Sequence, residues 1–140
     1  MKIQILDSRF EQAIEGYDKH IDVSNFAALA SEVSNNECSY ILAPEILSSF
    51  ALPQYSEVLT LMASKLRMNG EMVVGGTEIR AFADAIKQDK LDIQQSSGII
   101  AKSQSMANVH EVCELINSLG NFQVTWSCSG VHYEIKIRRV

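Results

Sequence analysis

The sequence predicts an α/β fold with a mostly parallel central sheet and a C-terminal antiparallel hairpin. Strand-like and helix-like segments alternate along most of the 140 residues, which is typical of parallel strands connected by helices on both faces of a sheet. Two uninterrupted apolar runs, Cys38–Ala43 and residues 72–74, have the composition of buried central strands. The last two strand-like segments flank Ser129 and Gly130, so we expect them to pair as a hairpin.

The first part of the chain is interpreted from apolar spacing and helix-capping patterns. Residues 2–6 alternate and favour a strand. A Ser-x-x-Glu pattern beginning at Ser8 then predicts a short helix that ends at Gly16. A second strand is expected over residues 20–23, and Ser24 is expected to cap the helix that follows.

The middle of the chain predicts two longer helices around a buried strand. Pro53 suits the first turn of a helix that runs to a left-handed stop at residues 69–70, ahead of the strand over residues 72–74. Thr77 is expected to cap the next helix. Residues 88–105 are polar and weakly patterned, as in a lid, a binding loop or a plain surface loop.

The C-terminal part predicts one helix and the hairpin. Asn108 and Glu111 form a capping pair for a helix that ends near Leu119, and strands follow over residues 122–127 and 131–137. Residues 1–140 are therefore expected to form a single domain. The side chains expected to be buried in its core are those of Met62, Leu66, Val73, Phe82 and Ile116.

Composition argues against several classes of protein. The net charge of −5 and the scattered basic residues argue against a nucleic-acid partner. No apolar run approaches the roughly 20 residues that span a bilayer, and the N-terminus does not resemble a signal peptide. The three cysteines are too far apart in sequence for a zinc ribbon or a disulfide framework, which favours reduced thiols and a cytoplasmic location.

The histidines provide neither a metal site nor a clear catalytic group. His20, His110 and His132 do not have the spacing of metal ligands, so no metal is expected. His132 is expected to point into water from an edge strand. The catalytic residues are left unknown.

A pocket is expected where the parallel strands end. Ligands of open α/β sheets bind beyond the carboxyl ends of the strands. The chain places polar or small residues at these ends, namely Leu6, Asp7, Ser8, Asp22, Ala43, Pro44 and Glu45.

Nearly the whole chain resembles the class I S-adenosylmethionine (SAM)-dependent methyltransferases, especially the compact type. Residues 40–50 read YILAPEILSSF and are similar to that family's fourth-strand motif. Residues 65–76 read KLRMNGEMVVGG and resemble the basic residue and glycine that lead into its fifth strand. Residues 114–120, with the two strands after them, are similar to its last helix and its sixth and seventh strands. The resemblance implies a Rossmann-like methyltransferase fold that is shortened at the N-terminus.

The resemblance also implies a cofactor and roles for the strand-end residues. SAM carries an electrophilic methyl group, and a family member aligns the acceptor atom with it. Asp22 matches the acid that holds the cofactor ribose. Asp7 and Ser8, after Leu6, would lie near its methionine part, and the stretch from Ala43 through Pro44 to Glu45 would line the methyl-transfer site. The implied acceptor is a small molecule such as a sugar or glycan precursor.

One departure from the family pattern leaves other functions open. The family has a glycine-rich loop after its first strand, whereas this chain has DSRFE in residues 7–11 and no glycine before Gly16. One alternative is a non-catalytic methyltransferase-like domain that acts as a binding or assembly partner, with a homodimer formed through apolar patches left by missing helices. Another is a different nucleotide- or anion-binding enzyme on the same fold.

Overall fold

A computed structural model describes all 140 residues and contains one six-stranded sheet. Its strand order is β2-β1-β3-β4-β6-β5. The first four strands are parallel, whereas β6 runs antiparallel to both β4 and β5, which confirms the predicted sheet and hairpin. The strands are β1 (Lys2–Leu6), β2 (Lys19–Asp22), β3 (Cys38–Ala43), β4 (Leu66–Thr77), β5 (Phe122–Ser129) and β6 (His132–Arg139).

Five α-helices and three 3₁₀ turns connect the strands. The helices are α1 (Ala28–Glu32), α2 (Tyr55–Lys65), α3 (Ile79–Lys87), α4 (Ile93–Lys102) and α5 (Val109–Ser118). The 3₁₀ turns are Val23–Asn25, Ile46–Ser49 and Leu52–Gln54. None of the helices has the length and apolar character needed to cross a membrane.

The main apolar core lies on one face of the sheet. Alternate strand residues pack there against α1, α2 and α5 in one connected cluster. The five side chains predicted to be buried are all at most 8% exposed, with Phe82 the most exposed of them. The opposite face carries an in-register row of Lys2, Tyr40, Glu71 and Arg138, so the expectation of helices on both faces is wrong.

A loop takes the place of the helix predicted between Ser8 and Gly16. The Gln4 side chain explains the difference, because its Oε1 accepts from Ile14 N at 2.8 Å and its Nε2 donates to Gln12 O at 3.1 Å. These main-chain groups therefore bond to a strand side chain instead of forming a helical ladder. The loop lies across the centre of the otherwise uncovered face, and Gln4 is 2% exposed.

Two other predicted boundaries are corrected. Helix α2 ends at Lys65, and the predicted left-handed residue Asn69, with φ of 64°, lies inside β4 instead of ending the helix. The β3–β4 register jumps from Leu66 to Glu71 there, which is a bulge that absorbs the extra residues. The weakly patterned segment 88–105 contains α4, which Asp92 caps through Gln95 N at 2.7 Å.

The caps of two helical segments also differ from the prediction. Asp22 caps the 3₁₀ turn ahead of α1, through Ser24 N, so Ser24 is not the cap. Glu78 caps α3 in place of Thr77. In both cases a carboxylate within two residues of the predicted hydroxyl accepts the free amide, and carboxylates suit helix N-termini because they complement the helix dipole.

Candidate functional site

The structure brings Asp22 to the tip of β1, as the strand-end prediction requires. Leu6 and Asp22 are register partners, and Ser8 N donates to Asp22 Oδ2 at 2.9 Å. A cavity of about 360 Å³ opens at this point. Its lining comprises Asp7, Ser8, Arg9, Asp22, Val23, Ser24, Ser49 and Gln104.

Asp22 presents a carboxylate that stays ionised. Oδ1 accepts from Ser24 N at 3.0 Å and from Ser24 Oγ at 2.7 Å, in addition to the Ser8 bond on Oδ2. Hydrogen bonds from Ser8 and Ser24 hold the pKa of the Asp22 carboxyl far below its usual range. An ionised carboxylate has four acceptor positions, and the main-chain and hydroxyl groups of Ser8 and Ser24 all act on Asp22, so positions for a ligand become free when these two hydroxyls rotate away.

The turn after β1 is closed by its own hydrogen bonds. Asp7 O accepts from Phe10 N at 3.0 Å and from Glu11 N at 2.8 Å, and Asp7 Oδ1 accepts from Arg9 N at 3.1 Å. Asp7 N donates to Glu11 Oε1 at 3.0 Å, and Ser8 N donates to Asp22 as described above. Every main-chain amide from residue 7 to residue 11 is therefore used within the protein.

Asp7 is fixed in this turn by an ion pair. It is 5% exposed, and its Oδ2 lies 2.8 Å from Arg9 Nη2. The hydrogen bond from the Arg9 side chain lowers the pKa of Asp7. Asp7 and Asp22 thus provide two ionised carboxylates beside the cavity.

A second cavity, of about 260 Å³, shares Asp7 and Ser49 with the first. Its walls include the carboxyl groups of Glu11 and Glu45, and the C-terminal part of α4 closes one side through Lys102. Lys102 Nζ lies 5.2 Å from the Phe10 ring centroid, which links α4 to the turn after β1 by a cation–π contact. Part of segment 88–105 therefore forms a wall of this cavity.

The strand-end residues Leu6, Ala43, Pro44 and Glu45 contribute unequally. Leu6 and Ala43 are buried in the sheet, at 6% and 0% exposure, so they position the tips without lining either cavity. Glu45 lines the second cavity, while Pro44 supplies its carbonyl oxygen to a hydrogen bond with His132. The binding roles of these residues stay predictions.

His132 is the site residue that sequence reasoning missed. It is half-buried rather than directed into water: Nε2 lies 2.8 Å from Pro44 O and 3.0 Å from Glu45 Oε1. Both partners only accept hydrogen bonds, so Nε2 carries the hydrogen and Nδ1 is left to accept a proton. The hydrogen bond to Glu45 raises the pKa of His132.

Topology explains why His132 reaches this site. Because β6 is antiparallel to β4, its first residue lies at the edge where the parallel strands end. Gly75 leaves the necessary space, since a Cβ there would lie 3.3 Å from His132 Nε2. Pro44 and His132 are 88 positions apart in sequence, and no local pattern connects them.

The contact between His132 and Glu45 predicts a pH-dependent contribution to stability. Since the folded pKa of His132 is raised, the contribution is fully present below the unfolded pKa of about 6.5 and is lost as pH rises through the folded value. Both side chains are partly exposed, so we expect His132→Gln to lower the free energy of unfolding by only about 0.5–1 kcal/mol more at pH 5.5 than at pH 8.5. Urea unfolding at the two pH values measures this difference.

One variant controls this measurement. Glu45→Gln should remove most of the pH-dependent difference, although Glu134 also acts on His132. Equal losses for His132→Gln at both pH values would disprove the assigned ion pair.

Comparisons with known proteins identify the fold. No protein-family model matches the sequence, and no curated protein matches it. Solved structures do match. A SAM-dependent methyltransferase from Archaeoglobus fulgidus superposes with a TM-score of 0.69 at 9% identity, over 99% of this chain and 86% of that one. One from Thermotoga maritima gives 0.64 at 12% identity, over 99% and 82%.

A third match was solved with a ligand. The plantazolicin methyltransferase BamL, in complex with a triazolic desmethylPZN analog and SAH, gives a TM-score of 0.66 at 7% identity, over 99% of this chain and 76% of that one. At such identities the likeness establishes the fold, so the chain has the Rossmann-like fold of class I SAM-dependent methyltransferases.

Proposed function

We propose that this chain is a SAM-dependent methyltransferase that acts on a small molecule such as a sugar or glycan precursor. The observation that carries the proposal is the ionised carboxylate of Asp22 at the tips of β1 and β2, beside a cavity that adjoins a second one. The fold supports it, because ligands of open α/β sheets bind at this edge. We further propose that residues 1–140 form one domain and that the protein is cytosolic.

The residues around the first cavity fit part of the cofactor. Asp22 accepts hydrogen bonds from ribose hydroxyls when the hydroxyls of Ser8 and Ser24 rotate away from it. The ionised carboxylate of Asp22 suits a ligand whose sulfonium and ammonium groups are cationic, whereas the carboxylate of Asp7 is already paired with Arg9. The methionine carboxylate finds no free main-chain amide in the closed turn, which leaves the Arg9 side chain as its charged partner. We therefore expect SAM to bind weakly.

The second cavity is the proposed binding site of the acceptor molecule. Bound SAM provides an electrophilic methyl group. Glu11, Glu45 and the hydroxyls of Ser48 and Thr77 offer hydrogen-bond partners for a polyhydroxylated molecule. His132 Nδ1 accepts the proton of the attacking hydroxyl, and Glu45 stabilises the resulting imidazolium through Nε2.

Calorimetric titration of SAM tests the cofactor site. Asp22→Asn removes the charge and one acceptor, so we expect the Kd for SAM to rise about tenfold, which corresponds to about 1.4 kcal/mol. Asp18→Asn is the matched control, because Asp18 accepts from Lys2 N at the opposite end of β1 and should leave the Kd unchanged. Circular dichroism checks that both variants remain folded.

The closed turn favours one alternative function. Because the amides of residues 7–11 are already bonded, a non-catalytic methyltransferase-like domain that serves as an assembly partner is the second candidate. Absence of saturable binding at millimolar SAM would favour this alternative over the enzyme. Binding of a different nucleotide alone would favour another nucleotide-binding function on this fold.

A further inference from the structure

Strand β5 forms an unpaired edge of the sheet, since it pairs with β6 only. Ser129 and His132 close the hairpin across a two-residue turn in which Gly130 has φ of 60°. In such a hairpin the closing pair is hydrogen-bonded, and bonded and non-bonded pairs alternate from it. The residues whose main-chain N–H and C=O groups point away from the sheet are therefore Phe122, Val124, Trp126 and Cys128.

This edge lacks the features that normally prevent strand pairing between molecules. Protected edges carry charges, prolines or bulges, or they are very short. Strand β5 is eight residues long, contains no charged residue and no proline, and pairs with β6 in an unbroken register. Trp126 is 46% exposed on it. A neutral strand in a chain of net charge −5 also allows two copies to meet there without repulsion within the strand.

We propose that β5 pairs antiparallel with β5 of a second copy of this chain and so joins two sheets into one. A two-fold axis normal to the sheet keeps the helix-bearing faces of the two copies on the same side. Residues that face the same side of the sheet therefore lie opposite one another across the new strand pair. The register centred on Thr125 satisfies all four outward-facing residues of each copy, with about eight main-chain hydrogen bonds. It places Phe122 opposite Cys128 and Val124 opposite Trp126 of the second copy.

The side chains across this axis are compatible. On the helix-bearing side each Trp126 meets Val124 of the other copy, an aromatic and β-branched pair of the type that favours strand pairing. On the uncovered side Thr125 faces its own equivalent, which is a neutral pair. An interface of one strand from each copy falls below about 1,200 Å², so the dimer is expected to be weak and concentration-dependent.

The row of Lys2, Tyr40, Glu71 and Arg138 on the uncovered face is largely polar and mixed in charge, which makes it less suited to meet its own equivalent than the neutral strand β5. The homodimer expected from the sequence is therefore proposed at the edge of the sheet instead of on this face. This inference is independent of the proposed function, because strand pairing requires no cofactor.

Sedimentation velocity of the full chain without ligand, from low micromolar to several hundred micromolar, tests the pairing. The wild type should shift from monomer to dimer. Thr125→Glu and Thr125→Lys each place like charges opposite one another at the axis, so either variant should raise the dimer Kd at least about tenfold. An equimolar mixture of the two should dimerise again, because Glu then faces Lys.

A matched control tests whether the effect is specific to β5. Thr60→Glu, at an exposed position of α2, should dimerise like the wild type. A wild type that stays monomeric throughout would overturn the proposal, as would Thr125 variants that dimerise normally. Loss of dimer in both single variants without recovery in the mixture would overturn the register centred on Thr125. Because the measurement uses no SAM, its result does not depend on the proposed methyltransferase activity.

Discussion

Gly75→Ala is expected to cost about 3 kcal/mol or more of the free energy of unfolding. A Cβ at Gly75 would lie 2.3 Å from Tyr133 O and 2.4 Å from Pro44 O. Both are main-chain atoms, so no side-chain rotation relieves the overlap, and β4 must separate from its neighbours. Urea unfolding at pH 7 measures the loss.

Gly98→Ala is the matched control, since it makes the same chemical change in open space. No heavy atom lies within 4 Å of a Cβ at Gly98, which sits inside α4. Alanine there should stabilise the protein by about 0.5–1 kcal/mol, because glycine is a poor helix former. If Gly75→Ala cannot be purified folded while Gly98→Ala can, the steric explanation holds. Wild-type stability in Gly75→Ala would contradict the close approach.

Glu78→Ala is expected to destabilise the protein by about 2–4 kcal/mol. Glu78 is 5% exposed and holds two helix starts at once: Oε1 accepts from Arg80 N at 2.7 Å, and Oε2 accepts from Val109 N at 2.6 Å. Its removal leaves an unpaired amide at the start of α3 and another at the start of α5. Urea unfolding gives the loss, and the unfolding slope shows whether the transition stays two-state.

Two further variants test whether Glu78, which accepts from the first turns of both α3 and α5, contributes more than a residue that caps one helix. Asp92→Ala removes an exposed cap of α4 that holds Gln95 N, so it should cost only about 1 kcal/mol. Glu78→Gln keeps one acceptor and should fall between Glu78→Ala and the wild type. A loss for Glu78→Ala no larger than that for Asp92→Ala would show that the second bond contributes little.

The sequence predicts the strands and hairpin well, because the signals for them are local. The apolar run Cys38–Ala43 is β3 as bounded from the sequence, and Gly130 lies in the turn that joins β5 to β6. Asn108 caps α5 through His110 N as expected, but Glu111 does not complete the predicted capping pair. Asp22 also lies at a strand tip as predicted, because an acidic residue at the end of a strand-like segment can be recognised from the sequence alone.

The parts that the sequence predicts poorly depend on contacts between distant residues. The pattern of residues 8–16 is helical, yet the Gln4 side chain takes the main-chain groups that a helix would use. The role of His132 requires the β4–β6 pairing and the turn at Pro44 and Glu45, which no spacing in the chain reveals. The use of Glu78 in place of Thr77 as a cap follows from the position of α5, which lies far along the chain.

The one-sided core ties the stability of the whole sheet to a single layer of helices. Every strand from β1 to β4 has its inward side chains in the same connected cluster as α2. No second layer of helices would keep the inward face of the sheet covered if α2 detached. Local opening at α2 is therefore expected to unfold the whole sheet. Strand residues facing the other way, such as Glu71 and Arg138, contribute little packing to this cooperative unit.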